Sequence, residues 1–138
     1  MTDLRERALQ YIKQNGPILP VQLSREIHTD VIMAGAILSE LVANKMAKIT
    51  FVKRGSSPFY YVAGQEYRLQ NLKENLHEKE QEAYSLLNKE KVVKDKDVGP
   101  VLRVALRSLK DYAIPITVTS KSGEELFWRW YLIDENNA

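Results

Sequence analysis

A short cationic stretch, KRGSS at residues 53–57, holds the side chains of this sequence that are best suited to bind phosphate. A turn that carries cations, hydroxyls and a glycine amide can hold one or two phosphate groups, contacts that position a nucleic acid without reading its bases. The alternative interpretation is an ordinary polar hairpin turn. The predicted phosphate contacts are Lys53, Arg54, Ser56 and Ser57, with Lys45 and Lys48 extending the same edge.

A second cationic group lies later in the chain, at Arg103, Arg107 and Lys110. The spacing of four and three residues would align these side chains on one exposed face of a helix. We interpret that face as a ridge of phosphate contacts. The alternative is a solvated helix surface without a ligand.

The residue types needed for catalysis or metal binding do not form a pattern in this sequence. The chain has no cysteine, and its two histidines, His28 and His77, are not at metal-ligand spacing with each other or with a carboxylate pair. The glycine turn at 54–57 lacks the Gly-Lys-Ser/Thr ending of a phosphate loop. We therefore expect a non-enzymatic protein with no metal and no cofactor, and no small-molecule substrate is evident.

Hydrophobic periodicity predicts three helices and a hairpin in residues 1–64. Apolar residues at helical spacing indicate a helix over about 4–15, a brief helix that Pro20 opens, and a third over VIMAGAILSELVANK, with Thr29 or Asp30 as its cap. Alternation from Lys45 to Lys53 and the run FYYV at 59–62 predict two strands joined across the KRGSS stretch.

This order resembles the winged helix-turn-helix family over residues 4–63. The resemblance is carried by PVQLSREI as the second helix, HTD as the turn, ILSELVANKMAKI as the third helix running into a strand, and KRGSSPFYY as the wing. It implies that the third helix enters a DNA major groove while the wing touches a neighbouring phosphate or the minor groove. Double-stranded DNA is then the expected partner.

The third helix departs from the family pattern on its exposed face. If Ile37, Leu38 and Leu41 face the core, no Arg, Lys, Asn or Gln remains on the outer face to read base edges. An apolar strip suits a protein surface better, so a protein interface is the alternative for this helix. The residues of that outer face are Ile32, Met33, Ala36, Ser39 and Glu40.

Gly35 lies in the middle of the same helix, where glycine costs about 1 kcal/mol relative to alanine. Such a cost indicates that something approaches the helix closely at this point. We expect tight packing against the first helix, and the alternative is the backbone of a protein partner or a DNA strand.

The second half of the chain predicts a connecting helix and a shortened repeat of the first half. We place domains at 1–64 and 78–138, joined by a linker helix at 65–77 whose leucine stripe either pairs with a second copy or packs onto the first domain. The later part shows a helix from about Glu78, a minimal helix near Asp95, a helix opened by Pro100, and two strands around Gly123, and it resembles a degenerate second winged helix. The stripe consists of Leu69, Leu72 and Leu76.

Composition bounds the remaining possibilities. The chain has 138 residues, of which 44% are hydrophobic and 28% charged, values typical of a folded α+β or other globular protein. No apolar run approaches the roughly 18 residues of a membrane helix, and the charged N-terminus does not resemble a signal peptide. We expect a cytoplasmic protein, associated with the nucleoid if it binds DNA.

Net charge is +2, divided as +3 over residues 1–64 and −1 over residues 65–138. We predict a mainly α, α+β, tandem winged-helix protein that binds DNA in transcription or on chromosomes, chiefly through phosphate contacts. The alternative is a protein-interaction scaffold of tandem winged helices within a transcription, replication or sorting complex.

Overall fold

The computed structural model describes residues 3–133 and divides the chain into two compact units, Met1–Leu72 and Lys73–Ala138. The ends of the predicted domains at residues 1, 2 and 134–138 lie outside the described residues. The architecture is α+β with 51% helix and small antiparallel sheets, which confirms the mainly α, α+β class. The sheets hold two and three strands, in the orders β1-β2 and β3-β5-β4.

The first unit contains three helices and a hairpin in the predicted order. Two helices begin at a capping carboxylate: Asp3 accepts a hydrogen bond from the Arg5 amide, and Asp30 accepts one from the Met33 amide at 2.7 Å. Asp30 is therefore the cap that the sequence offered as one of two candidates. The elements are α1 (Leu4–Asn15), α2 (Pro20–Glu26), α3 (Val31–Ala43), β1 (Lys48–Arg54) and β2 (Ser57–Tyr61).

One hydrophobic core holds these helices together and anchors the hairpin to them. Ile18, between α1 and α2, forms an isolated antiparallel bridge with Tyr60 of β2, with N–H···O distances of 2.8 Å in both directions. This bridge fastens the inner strand of the hairpin to the helical part. The fully or nearly fully buried residues of this core are Ala8, Ile12, Ile18, Leu23, Ile27, Ala34, Ile37, Leu38, Leu41, Ala47 and Tyr60.

The hairpin ends in a two-residue turn. Arg54 pairs with Ser57, and Gly55 has a φ of +63°, the value that a type II′ turn requires at its first central position. Farther from the turn, Thr50 interrupts the ladder. Its buried hydroxyl accepts the Phe59 amide at 3.0 Å and donates to the Val52 carbonyl at 2.7 Å, which accounts for the shift in register between Ile49 and Lys53.

The predicted linker helix is a 3₁₀ helix, Glu66–Asn75. The buried Gln65 side chain fixes its start, since Nε2 donates to the Ile12 carbonyl at 2.7 Å and Oε1 accepts the Val62 amide at 3.0 Å. Leu69 and Leu72 are buried and three residues apart, the repeat of a 3₁₀ turn.

The predicted dimerisation stripe is not exposed in the single chain. Leu69, Leu72 and Leu76 are all buried. For Leu69 and Leu72, which belong to the first unit, this agrees with the alternative of packing within the chain. These positions therefore offer a second copy no exposed leucine surface.

The second unit repeats the order helix, short helix, helix and hairpin, and adds a strand that the sequence did not predict. Short β3 pairs with β5 on the side opposite β4, so β5 is the central strand. Pro115 lies on the edge strand β4, opposite Trp128. The elements are α4 (Glu78–Glu90), β3 (Val92–Lys94), a 3₁₀ turn (Asp95–Asp97), α5 (Pro100–Ser108), β4 (Ala113–Ser120) and β5 (Gly123–Trp130).

Aromatic residues form the centre of this second core. The Tyr84 ring lies edge-on to the rings of Tyr112 and Trp130, with centroid distances of 5.0 and 5.1 Å. Burial raises the pKa of the Tyr112 hydroxyl far above its ordinary value. Trp128 and Trp130 are both buried, so their rings are not available for stacking on bases.

Candidate nucleic-acid interface

The predicted phosphate contacts at the end of the hairpin differ in how far they are exposed. Lys53, Arg54 and Ser56 are exposed at the turn. The Arg54 guanidinium lies 5.5 Å from the centroid of the Phe59 ring, a cation–π contact that orients its long side chain while its charge stays at the surface. Ser57 is partly buried and donates its hydroxyl to the Pro58 carbonyl at 3.0 Å. Lys53, Arg54 and Ser56 are thus the strongest phosphate-binding candidates of the chain.

The two lysines before the turn differ from each other. Lys45 is exposed directly after α3, with a positive φ of 61°. Lys48 forms an ion pair with Glu66 at 3.5 Å. Partial burial acts to raise the pKa of Glu66, but hydrogen bonds from the Gly64 amide and Lys48 hold that pKa below its ordinary value. Lys48 is therefore partly neutralised, whereas Lys45 is exposed at the end of the hairpin opposite the turn.

Two exposed apolar residues, Ile49 and Phe51, accompany these cations on the hairpin. Phe51 is 63% exposed, and Ile49 is 48% exposed. Both lie on the outer face of β1 together with Lys53, since alternate residues of a strand point to the same side. Of these three residues, only Lys53 was predicted from the sequence as a contact. The alternation of side chains along β1 is the sequence signal that places Ile49 and Phe51 on the same face.

The exposed face of α3 has the composition that the sequence predicted. Ile32 is 86% exposed, Met33 and Ala36 are exposed beside it, and Val31 adds a further apolar side chain. We call Val31, Ile32, Met33 and Ala36 the apolar strip of α3. Base-reading side chains are missing from its exposed positions, so this face offers a partner apolar groups, the Ser39 hydroxyl and the Glu40 carboxylate.

Glu40 carries the negative charge of the same face and has a cationic partner. Its Oε1 accepts a hydrogen bond from Nη1 of Arg5 in α1 at 2.6 Å. The ion pair offsets the repulsion that an isolated carboxylate would exert on phosphate.

Gly35 does not pack tightly against another helix. A Cβ atom built at this position would meet no atom within 4 Å. The expectation of close packing against the first helix is therefore wrong, because α1 contacts α3 elsewhere and leaves space beside Gly35. A close approach by a partner is the alternative that stays open.

The cationic group of the second unit is engaged within its own fold. Arg107 donates to both carboxylate oxygens of Asp95, at 3.0 and 3.1 Å, and its guanidinium lies 5.6 Å from the centroid of a Trp128 ring. Arg103 donates through Nε to the carbonyls of Asp95 and Val98, at 3.0 and 2.9 Å. Both arginines hold the 3₁₀ turn and the loop that leads into α5.

The third residue of the predicted cationic ridge, Lys110, does not lie on the same helix as the other two. Helix α5 ends at Ser108, so Lys110 lies beyond it and the prediction that three cations share one helix face is wrong. The sequence placed the helix end too late because Leu109 continues the apolar spacing. The hairpin of the first unit is left as the better phosphate-binding candidate.

Asp95 is the centre of this internal network. Hydrogen bonds from Arg107 and from Nε1 of Trp128, the latter at 3.0 Å, stabilise its carboxylate and hold the pKa of Asp95 below its ordinary value. From the sequence, Asp95 was predicted only to lie near a short helix. No pattern in the sequence pointed to an aspartate buried beside a tryptophan 33 residues away.

Within residues 3–133 there is neither a metal-binding cluster nor a membrane-spanning helix. No group of three or more His, Asp or Glu side chains is arranged to hold a metal ion there. In the same range, no helix has the length and apolar character needed to cross a membrane. His28 is exposed in the turn before α3, and His77 precedes α4, so neither imidazole belongs to a cluster.

Comparisons with protein-family models, with curated proteins and with solved structures find no match for the chain.

Proposed function

We propose that the chain is a non-enzymatic DNA-binding protein of the winged-helix type, acting in transcription or on chromosomes. Its first unit would bind the phosphate backbone through the end of the β1–β2 hairpin. The observation that carries the proposal is the pair of exposed cations, Lys53 and Arg54, beside a tight glycine turn. Helices α2 and α3 and a capped break between them support the winged-helix assignment, with the hairpin as the wing.

The predicted mode of binding is positioning without base reading. The wing offers two cations and the Ser56 hydroxyl at the turn, and the exposed Lys45, which precedes β1, would supply a third cation. Contacts of this kind go to phosphate oxygens and carry no sequence information. Binding is therefore expected to be weakly selective and strongly dependent on salt.

Fluorescence anisotropy of a labelled random-sequence duplex tests this proposal at about 50 and about 200 mM salt. Three phosphate contacts would weaken binding about 40-fold between these concentrations, because each contact releases counterions from the DNA. Reversing both wing charges, Lys53→Glu with Arg54→Glu, should lower affinity by at least about tenfold at the lower salt.

A matched control makes the same kind of charge change in the second unit. Lys89 and Lys121 are exposed there, and their reversal to Glu should leave duplex affinity within about twofold of the wild type if binding is local to the wing. Equal losses of duplex affinity in the two double variants would show that the effect comes from net charge and not from the position of the cations. Wild-type protein that is folded and fails to bind at low salt would rule the proposal out.

A second candidate function is a protein-interaction scaffold of tandem winged helices. The apolar strip of α3 favours it, because a side chain as exposed as Ile32, at 86%, lies beside further apolar residues and faces no other element. Contiguous apolar surface of this kind marks interaction sites more often than it marks inert surface. The open space at Gly35 supports close approach by such a partner.

A further inference from the structure

One face of the three-stranded sheet in the second unit is not covered by the unit's own helices. Residues that pair directly across strands point to the same face. The core face carries Val93, Ala113, Trp128 and Trp130, which are all buried. The opposite face is built from the cross-strand rows Val92–Arg129–Ile114, Lys94–Phe127–Ile116 and Glu125–Val118.

This opposite face is concave and mainly apolar. It lines an open depression of about 600 Å³, a volume within the range of about 300 to 1,000 Å³ that is typical of small-molecule sites. Val118 is 46% exposed at its rim. The apolar lining comes from Val92, Ile114, Ile116, Val118 and Phe127, and the charged member of the lining is Arg129.

Three charged side chains, Lys94, Glu125 and Arg129, lie on this face. Lys94 pairs with Glu125 at 3.0 Å, so these two charges offset each other. Arg129 lies in the row next to Phe127, and its Nη1 donates to the Ile133 carbonyl at 2.5 Å. That hydrogen bond orients a guanidinium at one end of an apolar depression.

We propose that the concave face of the β3-β5-β4 sheet binds a small amphipathic carboxylate. The apolar body would lie against the aliphatic side chains and Phe127, and the carboxylate would accept hydrogen bonds from Arg129. Guanidinium and carboxylate form charge-assisted hydrogen bonds of this kind. The site belongs to the second unit and is independent of the phosphate contacts proposed for the wing.

A second copy of the chain fits this face less well. Two copies of one concave surface, placed face to face about a twofold axis, would leave a void between them, and a void lacks the contacts that stabilise an interface. Pairing through the edge strand β4 is also disfavoured, because Pro115 has no amide hydrogen to donate. A small ligand can fill the depression without leaving a void and without pairing to the edge strand.

Isothermal titration calorimetry of the full chain with decanoate and with decanol tests the proposal. Decanoate should bind about tenfold more tightly than decanol, the difference expected for a charged hydrogen bond. Arg129→Gln should remove this preference while keeping the decanol affinity. Val118→Glu should weaken binding of both ligands, because it places a charge at the apolar rim.

The matched control is Val104→Glu, which changes an exposed valine of α5 in the same unit and should leave both affinities unchanged. Fluorescence of Trp128 and Trp130, both in this unit, checks that each variant is folded. If Arg129→Gln does not fold, the proposal is tested by two other results. These are the preference of the wild type for decanoate over decanol and the loss of affinity for both ligands in Val118→Glu.

Three results would overturn the proposal. Absence of decanoate binding by folded wild-type protein is one, and equal loss in Val104→Glu and Val118→Glu is another. The third is a wild-type dimer in light scattering that Val118→Glu converts to monomer, since it would assign the face to a second copy. Failure of duplex binding has no bearing on any of these results, because the wing variants leave this sheet unchanged.

Discussion

Asp95 shows how much of the second unit depends on one carboxylate. It accepts hydrogen bonds from Arg107 and from the Trp128 ring, and its own backbone carbonyl accepts one from Arg103. These contacts join the 3₁₀ turn, α5 and the central strand. The sequence could show that cations recur along α5, but it could not show that Arg103 and Arg107 bind the 3₁₀ turn, because their acceptors lie on another element.

The lowered pKa of Asp95 gives the stability of this unit a defined pH dependence. A carboxyl group with a lower pKa in the folded than in the unfolded state stabilises the fold above the unfolded value of about 3.9, and this contribution is lost as the pH falls through the folded value. Asp95→Asn should therefore destabilise the unit at pH 7. The difference from the wild type should shrink between about pH 5 and about pH 3.

Urea unfolding followed by tryptophan fluorescence measures this difference, since both tryptophans of the chain lie in the second unit. Asp97→Asn is the matched control, because Asp97 is an exposed carboxylate in the same turn. A pH-independent deficit in Asp95→Asn would contradict the ionic role of the contact with Arg107.

At the scale of elements, the helices followed their apolar period closely and the short pieces did not. The first helix was predicted at about 4–15 and is Leu4–Asn15, because its buried residues and its capping residue lie within the same segment. Strand β3 has three residues, too few to display an alternation. The linker segment was predicted as a helix over residues 65–77 and forms a 3₁₀ helix, Glu66–Asn75, in which Leu69 and Leu72 pack with a repeat of three.

The two helix-associated glycines of the first unit should respond in opposite ways to alanine. At Gly35 the added methyl meets no atom within 4 Å, so Gly35→Ala should stabilise the protein by about 1 kcal/mol through helix propensity. At Gly16 the methyl would lie 2.5 Å from Oε1 of Gln65, so Gly16→Ala should destabilise by about 1–3 kcal/mol. Thermal unfolding followed by far-ultraviolet circular dichroism measures both, and a destabilised Gly35→Ala variant would be the contrary result.

At the scale of the whole molecule, charge alone was a weak guide to function. The first 64 residues carry +3 and the remainder −1, yet what matters for a phosphate partner is which cations are exposed. Lys48 and Arg107 form ion pairs within the chain, and Lys53 and Arg54 are exposed beside the hairpin turn. The sequence predicted a cationic hairpin and could not predict the pairing of cations that are distant from it.

Met33→Gln separates the two candidate functions of the chain. The neutral change removes an apolar contact from the strip of α3 without adding a charge that repels phosphate, so we expect duplex affinity to stay within about threefold of the wild type. If the strip binds a protein partner, Met33→Gln should instead lose that partner in affinity capture. The capture is done at about 500 mM salt, where DNA-mediated contacts are screened. Loss of duplex binding in Met33→Gln would place α3 itself against DNA and contradict a wing-only contact.

Pro115 also affects the tendency of the chain to aggregate before it binds any partner. An exposed strand edge is a template on which other chains can polymerise, and a proline in such a strand interrupts the row of donors that this would need. The sheet of the second unit can thus keep one broad apolar face open to solvent while its edge resists the growth of fibrils. Protection from aggregation here comes from a missing hydrogen-bond donor, and the apolar face is left intact.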